Sequence, residues 1–367
     1  MIFRTSTSIL LRPSTLSRCN RVSLARNLTS ISGSDKSVRP RNVLLVKKTN
    51  DEPTTVAAKT IISHLRSTYP NLNILIESEA APELSSGLSG VAIIDRDSTV
   101  SPNTGVRIWA RPDKEELDLI ITLGGDGTIL HVSSLYARPG KVPPVLSFSM
   151  GSLGFLTPFH IDTHEETIGS VFDAKYKILD RMRLACEIFG EDDRPVKRCP
   201  TTGWQVMNEV SIHRGRYPHL SVVDAYVDGE HLTEAVADGL ILATPTGSTA
   251  YSLSSGGPIA HPGLEAFLLT PIAPRSLSFR TLLLPSQGEV MMKISGKSRA
   301  PSELSMDGRE VCNLHPGEYI KVRRSRYPIP CVTRRDGGDD WVADINSLLQ
   351  FNVGFKNSSL WRRHTPV

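Results

Sequence analysis

Leu119-Ile120-Ile121-Thr122-Leu123 is an apolar, β-branched run of strand length that stops at Gly124-Gly125-Asp126-Gly127-Thr128. The segment Ile129 to Leu135 follows at once with helical spacing. A chain with this junction must bring a strand end, a glycine turn and a helix start to one point. Glycines adopt backbone angles closed to other residues and carry no Cβ to obstruct a ligand. Successive N–H groups in such a turn form a concavity for phosphate oxygens, and the helix start aims its positive end at the same place. Asp126 is the one ionisable group of the turn. A carboxylate repels phosphates, so its presence there points to accepting a proton from an attacking hydroxyl or helping to hold a metal ion. A Gly-Gly pair alone reads as a tight turn. All five residues at a strand–helix junction read as a phosphate site.

The flanking sequence places this junction in an α/β layer. Asn42 to Val46, Leu72 to Ile76, Val91 to Ile94 and Val145 to Phe148 read as further strands, and residues 52–68 carry Val56, Ile61, Ile62 and Leu65 at helical spacing. Alternating strands and helices predict a mostly parallel sheet with helices on its faces over residues 42–172. Beyond about residue 172 the helical period fades. Gly203 to Val210, Leu220 to Val227, Gly239 to Ala243, Leu282 to Leu284, Val290 to Ile294 and Tyr319 to Val322 read as strands, with Asp228-Gly229 as a hairpin turn. Residues 173–340 are therefore expected to form an all-β, sandwich-like domain. Residues 190–200 read as a solvated hairpin tip and 333–340 as an exposed loop. The segment 341–355 is expected to pack back on the first domain, in part as a helix.

The chain of 367 residues is long enough for two domains. A formal charge of +4 gives no case for nucleic-acid binding, and no apolar run has the length to span a bilayer. Much of the positive charge lies in residues 1–34. This segment holds Arg4, Arg12, Arg18, Arg21 and Arg26, many Ser and Thr, and no acid before Asp35. That is the composition of a mitochondrial transit peptide, and Arg12 interrupts the apolar core a secretory signal would need. Cys19, Cys186, Cys199, Cys312 and Cys331 are widely spaced, which predicts reduced structural thiols rather than a disulfide frame or a zinc site.

A second constellation follows the apolar run Gly239 to Ala243. Thr244-Pro245-Thr246-Gly247-Ser248-Thr249-Ala250-Tyr251-Ser252-Leu253-Ser254-Ser255-Gly256-Gly257-Pro258 crowds small residues and hydroxyls together. Small residues admit a ligand close to the backbone, and hydroxyls both donate and accept hydrogen bonds. Tyr251 offers a ring to lie against an aromatic ligand. The pattern suits a flat polar ligand such as a nucleotide. Asn208-Glu209 adds donors and acceptors suited to ribose hydroxyls or an amide.

Taken in order, these blocks resemble the NAD kinase family over nearly all of residues 42–350, most like its fungal mitochondrial NADH kinases. The matching motifs are Gly124 to Thr128, Gly151-Ser152-Leu153-Gly154-Phe155-Leu156, Asn208-Glu209, Thr246 to Pro258, Pro274 to Arg280, and Asp307-Gly308-Arg309. Diacylglycerol and sphingosine kinases share the Gly-Gly-Asp-Gly turn, which leaves a lipid kinase as the alternative. The Thr-Gly-Ser-Thr-Ala-Tyr block is far more specific to NAD kinases.

The resemblance implies an α/β N-terminal domain, an all-β C-terminal domain, and a site between them. It implies transfer of the γ-phosphoryl group of ATP, supplied with Mg²⁺, to the adenosine-ribose 2′-hydroxyl of NAD or NADH in mitochondria. By the same carry-over Asp126 accepts the proton, and Gly124, Gly125, Gly127 and Thr128 complete the phosphate turn. Asn208 and Glu209 hold ribose or adenine edges, and Asp238 meets the nicotinamide end. Thr249, Ala250, Tyr251 and Ser254 line the adenine and ribose pocket, and His219 is a further candidate. No metal ligands belonging to the protein itself are expected. The family commonly assembles as homo-oligomers. Arg275 stands where the family often has His, Thr281 where it often has Pro, and Val236 where some bacterial members carry a basic residue.

Overall fold

The computed structural model describes residues 39–85, 92–94, 105–109, 116–196, 204–334 and 338–350. The expected transit peptide, residues 1–34, lies outside them, as do residues 351–355. The first layer is a nine-stranded sheet. Its strands run in the order Ala92–Ile94, Gly105–Ile108, Asn73–Ile76, Asn42–Lys47, Leu119–Gly124, Val145–Ser149, Ile329–Thr333 and Lys177–Arg181, with Phe159–His160 beside Val145–Ser149. All pairings are parallel except the last, where Ile329–Thr333 runs antiparallel to Lys177–Arg181.

The central strands are mostly apolar and buried on both faces, with Thr122, Ser147 and Ser149 among their buried positions, because both faces are covered. Val43, Leu45, Ile121 and Leu123 pack toward Ala58, Ile61, Ile62 and Leu65 of the helix Glu52–Thr68. Leu44, Val46 and Ile120 face the other way, onto Ile129 and Val132 of the helix Asp126–Leu135. Asp51 starts the first of these helices, its carboxylate accepting from the Thr54 N–H, with proline in the first turn.

The β half is a sandwich of two antiparallel six-stranded sheets. One contains Trp204–Val206, Leu184–Phe189, Tyr319–Arg324, Glu289–Ile294, Ser221–Val227 and Glu230–Ala237. The other contains Leu282–Pro285, Ala266–Ile272, Gly239–Ala243, Glu209–His213, Ser302–Met306 and Arg309–Leu314. Leu184, Val223, Met292 and Val322 of the first meet Val210, Leu240, Phe267 and Leu304 of the second in one core. The turn at Asp228-Gly229 forms as expected, with φ of 50° and 84°.

Several local expectations are corrected. Lys177–Arg181 and Ile329–Thr333 fall in the span read as the β half, yet they complete the first sheet. The pairing partner of such a strand is a long-range property that its own pattern does not encode. The run Gly203 to Val210 is not one strand: it breaks at Met207-Asn208, and its two parts enter different sheets. The last helix begins at Gly338, inside the stretch read as a loop. Cys186 and Cys331 are free and buried, but Cys312 is disulfide-bonded.

The chain therefore crosses between the layers at residues 181–184 and again at 324–329. The crossings are tied together. Ser325 N–H donates to the Arg183 carbonyl at 2.8 Å. The Arg183 side chain is fully buried and donates to the Tyr327 carbonyl at 2.7 Å and the Tyr136 carbonyl at 2.9 Å. Tyr136 ends the Asp126 helix, so a buried guanidinium joins that helix to both crossings. Among the described residues no helix is long and apolar enough to cross a membrane.

Candidate active site

The glycine turn forms at the strand–helix junction. Gly124 ends its strand at φ of 152°, and Gly125 caps the helix that Asp126 begins. A Cβ on Gly124 would lie 2.2 Å from Thr128 Oγ1, so the turn closes only around a glycine. The Asp126 carboxylate points across the turn into the segment after Val145–Ser149. It accepts from the Leu156 N–H at 2.9 Å and the Phe155 N–H at 3.2 Å. This segment is the Gly151 to Leu156 motif, whose place beside Asp126 the sequence did not reveal. Burial pushes the Asp126 carboxyl above the usual carboxylate range, opposed by the Leu156 N–H, the Arg181 charge and the Phe155 N–H.

Asn208 and Glu209 meet the second constellation. Thr244 donates its N–H to the Asn208 carbonyl at 2.9 Å and its hydroxyl to the Met207 carbonyl at 2.7 Å. Thr246–Thr249 forms a short 3₁₀ turn, and Tyr251–Ser254 a single helical turn. Gly247 packs so closely that a Cβ there would lie 2.1 Å from the Asn208 carbonyl oxygen. Glu209 is buried, one carboxyl oxygen has no partner, and the Tyr251 N–H donates to the carboxyl. Burial, and then the charge of Asp307, push its carboxyl up to about 7. A buried acid at that position has an unused oxygen to offer a ligand hydroxyl or amine.

Asp307 explains the break in the strand run. It lies in an Asp-Gly turn with φ of 48° and 73° at Asp307 and Gly308. Its carboxylate accepts from the Asn208 N–H at 2.6 Å and the Met207 N–H at 3.0 Å. Both N–H groups would otherwise be left unpaired where the chain passes from one sheet to the other.

The two constellations meet through Arg181. Its guanidinium donates to the Phe155 carbonyl at 3.0 Å and lies 3.4 Å from Thr246 Oγ1. Asp238 lies near the rim, where its charge reaches the Tyr251 hydroxyl, and its carboxylate is paired with Arg214 at 2.6 Å. Tyr251 and Ser254 are exposed, and Thr249 and Ala250 are half-buried. His219 stands exposed on the loop after Arg214 and shares no hydrogen bond or ion pair with the other candidates. The last helix closes one side. Trp341 sits edge-on to His261 with ring centroids 4.9 Å apart, and Asp344, paired with Arg334, is close enough for its charge to act on Asp126. Arg181, His261 and Asp344 carried no sequence signal of a role, because single charged residues at strand ends and turns usually mark only surface; Asp307 stood out only as part of the Asp307-Gly308-Arg309 block, with no role read for it.

Family models match both halves of the chain: the ATP-NAD kinase N-terminal domain over residues 43–176 and the ATP-NAD kinase C-terminal domain over residues 207–334. The chain is 41% identical over 319 residues to the mitochondrial NADH kinase pos5 of Schizosaccharomyces pombe, covering 86% of this chain and 76% of that one. It is 36% identical over 352 residues to the mitochondrial NADH kinase POS5 of Saccharomyces cerevisiae, covering 86% and 82%. The crystal structure of yeast NADH kinase complexed with NADH superposes with a TM-score of 0.76 at 38% identity, over 88% of this chain and 91% of that one. The two matched domains, the order of the layers and this similarity along most of the chain place it in the NAD kinase family.

Proposed function

We propose that the protein transfers the γ-phosphoryl group of ATP to the 2′-hydroxyl of the adenosine ribose of NADH or NAD, giving NADPH or NADP. The observation that carries this reading is Asp126. It is a part-buried carboxylate at a helix start, fixed by two backbone N–H groups, and Arg181 joins it to the Thr246 turn.

A ribose hydroxyl is a weak nucleophile, so positioning and charge neutralisation supply most of the acceleration. The Gly124 to Thr128 backbone and the helix start hold phosphate oxygens. ATP enters as its Mg²⁺ complex, and the ion neutralises charge on the phosphates. Among the described residues no group of three or more His, Cys, Asp or Glu side chains is arranged to hold a metal of the protein's own. Asn208, Glu209 and the Thr249 to Ser254 turns hold the ribose and adenine. Asp238 lies toward the nicotinamide end. As the O–P bond forms, the 2′-hydroxyl proton passes to a carboxylate oxygen of Asp126. Burial raises the proton affinity of that group, which suits it to receive the proton.

The names of the fungal relatives support NADH as the preferred acceptor and, with the composition of residues 1–34, the mitochondrial matrix as the location. We propose a homo-oligomeric state, supported by the exposure of Leu283 on the outer strand Leu282–Pro285 of the sandwich and of Leu277 shortly before it. The deciding experiment supplies the purified protein with ATP and Mg²⁺ and compares NADH with NAD, detecting phosphorylated dinucleotide by mass. Product is expected from one or both, more from NADH. A folded protein that yields none from either would end this reading.

A further inference from the structure

Arg181 ends an outer strand of the first sheet, at the point where the chain crosses into the β half. Its guanidinium reaches two parts of the site at once. One nitrogen donates to the Phe155 carbonyl at 3.0 Å, and the other lies 3.4 Å from Thr246 Oγ1. The Phe155 carbonyl belongs to the same peptide unit as the Leu156 N–H. That N–H donates to Asp126 Oδ1 at 2.9 Å. The contacts therefore form one chain: guanidinium, Phe155 carbonyl, Leu156 N–H, Asp126 carboxylate. A cation on the carbonyl polarises the peptide and strengthens the hydrogen bond at its far end. Thr246 opens the 3₁₀ turn that leads into Thr249, Ala250 and Tyr251.

We propose that Arg181 is a positioning residue that clamps the Asp126 loop to the Thr246 turn, holding the proton acceptor at a fixed distance from the ribose pocket. The proposal rests on the kinase reading above for its effect on turnover, but the clamp can be tested without it. The guanidinium is suited to the task because its planar fork addresses two acceptors in different directions, which a lysine ammonium on a flexible stem does not. The ionisable groups around it are few. Asp126 faces it from the start of its helix and His261 from the loop after Tyr251–Ser254, while Asp344 acts on Asp126. The buried Cys331 thiol adjoins it on the neighbouring strand. Its charge favours the ionised form of Asp126, whereas Asp344 opposes it.

The experiment uses the full chain as Arg181→Gln and Arg181→Lys. Hydrogen exchange by mass spectrometry over the Gly151 to Thr157 segment reads the clamp directly. Arg181→Gln is expected to speed exchange of the Leu156 amide about tenfold, the loss of roughly one hydrogen bond. In kinetics, Arg181→Gln is expected to lower kcat about a hundredfold, as for a misplaced catalytic group, with the dinucleotide KM changed by less than about threefold. The acidic limb of its kcat profile moves to higher pH, because Asp126 without the cation binds its proton more tightly. Arg181→Lys keeps the charge and loses the fork, so its acidic limb returns toward that of the parent while kcat stays low. Unchanged exchange at Leu156 overturns the proposal whatever the activity. Faster exchange with kcat within about twofold of the parent overturns it, as does lost turnover with an unmoved acidic limb in Arg181→Gln. A parent protein without kinase activity, together with faster exchange in Arg181→Gln, defeats the kinase reading and leaves the clamp standing.

Discussion

Gly154 makes room for the Asp126 carboxylate: a Cβ built at residue 154 would stand 2.2 Å from Oδ1 and 2.8 Å from Thr157 Oγ1. Real Cβ atoms do not approach so closely, so a side chain here must displace the carboxylate or the loop that holds it. The Gly154 N–H also donates to Thr157 Oγ1 at 2.9 Å, which fixes the loop from its other end. The Gly-x-Leu-Gly-Phe-Leu motif thus serves the carboxylate 28 residues before it by leaving one atom out.

Gly154→Ala is expected to lower kcat about a hundredfold through misplacement of Asp126, while changing the KM for either nucleotide little. Steady-state kinetics check this. A variant with parental kcat would show that the loop yields without moving the carboxylate.

Asp126→Asn keeps the shape of the side chain but removes the proton acceptor. Turnover should fall by a factor on the order of 10³, the range for removal of a general base. The far-ultraviolet circular dichroism spectrum should be unchanged. Near-parental turnover would exclude the proton-acceptor role.

Glu209 makes stability depend on pH. Its carboxyl is raised to about 7 in the folded protein, from the usual 4.5, so the fold retains a proton that the unfolded chain releases. The stabilising effect is present below about pH 4.5 and is lost as pH rises through about 7. Glu209→Gln cannot ionise, so its melting temperature should gain on the parent between those limits and level off above neutrality. A constant difference across the range would contradict the assignment.

Tyr251 is 38% exposed, and its backbone N–H is the group that meets Glu209. Tyr251→Ala therefore removes a wall and leaves the inner contact in place. The dinucleotide KM should rise about tenfold, with kcat within about threefold of the parent. Initial rates at varied NADH test the split, and an unchanged KM would rule out the wall.

Arg183 is fully buried, and its guanidinium serves the carbonyls of Tyr136 and Tyr327 near the charge of Asp307. Arg183→Met should cost about 3 kcal/mol, because it strands both carbonyls and leaves Asp307 without its neighbouring cation. Calorimetry measures this as a lower melting temperature. Loss of less than about 0.5 kcal/mol, typical of a surface change, would show that the crossing does not depend on Arg183.

The strand, glycine turn and helix at Leu119–Leu135 were legible in the sequence because each is set by neighbours a few residues away. An apolar run, a backbone angle only glycine adopts easily, and a helical period are all local. The same holds for the helix Glu52–Thr68 behind its Asp51 cap and for the Asp228-Gly229 turn. Tertiary structure alone decided that Lys177–Arg181 and Ile329–Thr333 complete the first sheet. It also split the run from Gly203 to Val210, because the group that captures the N–H atoms of Met207 and Asn208 is Asp307, about a hundred residues further on. Nothing local to Arg181 distinguishes it from a surface cation. Its position between Phe155 and Thr246 exists only once the two layers have packed, since hydrogen bonds and charges act through space on whatever the fold brings near.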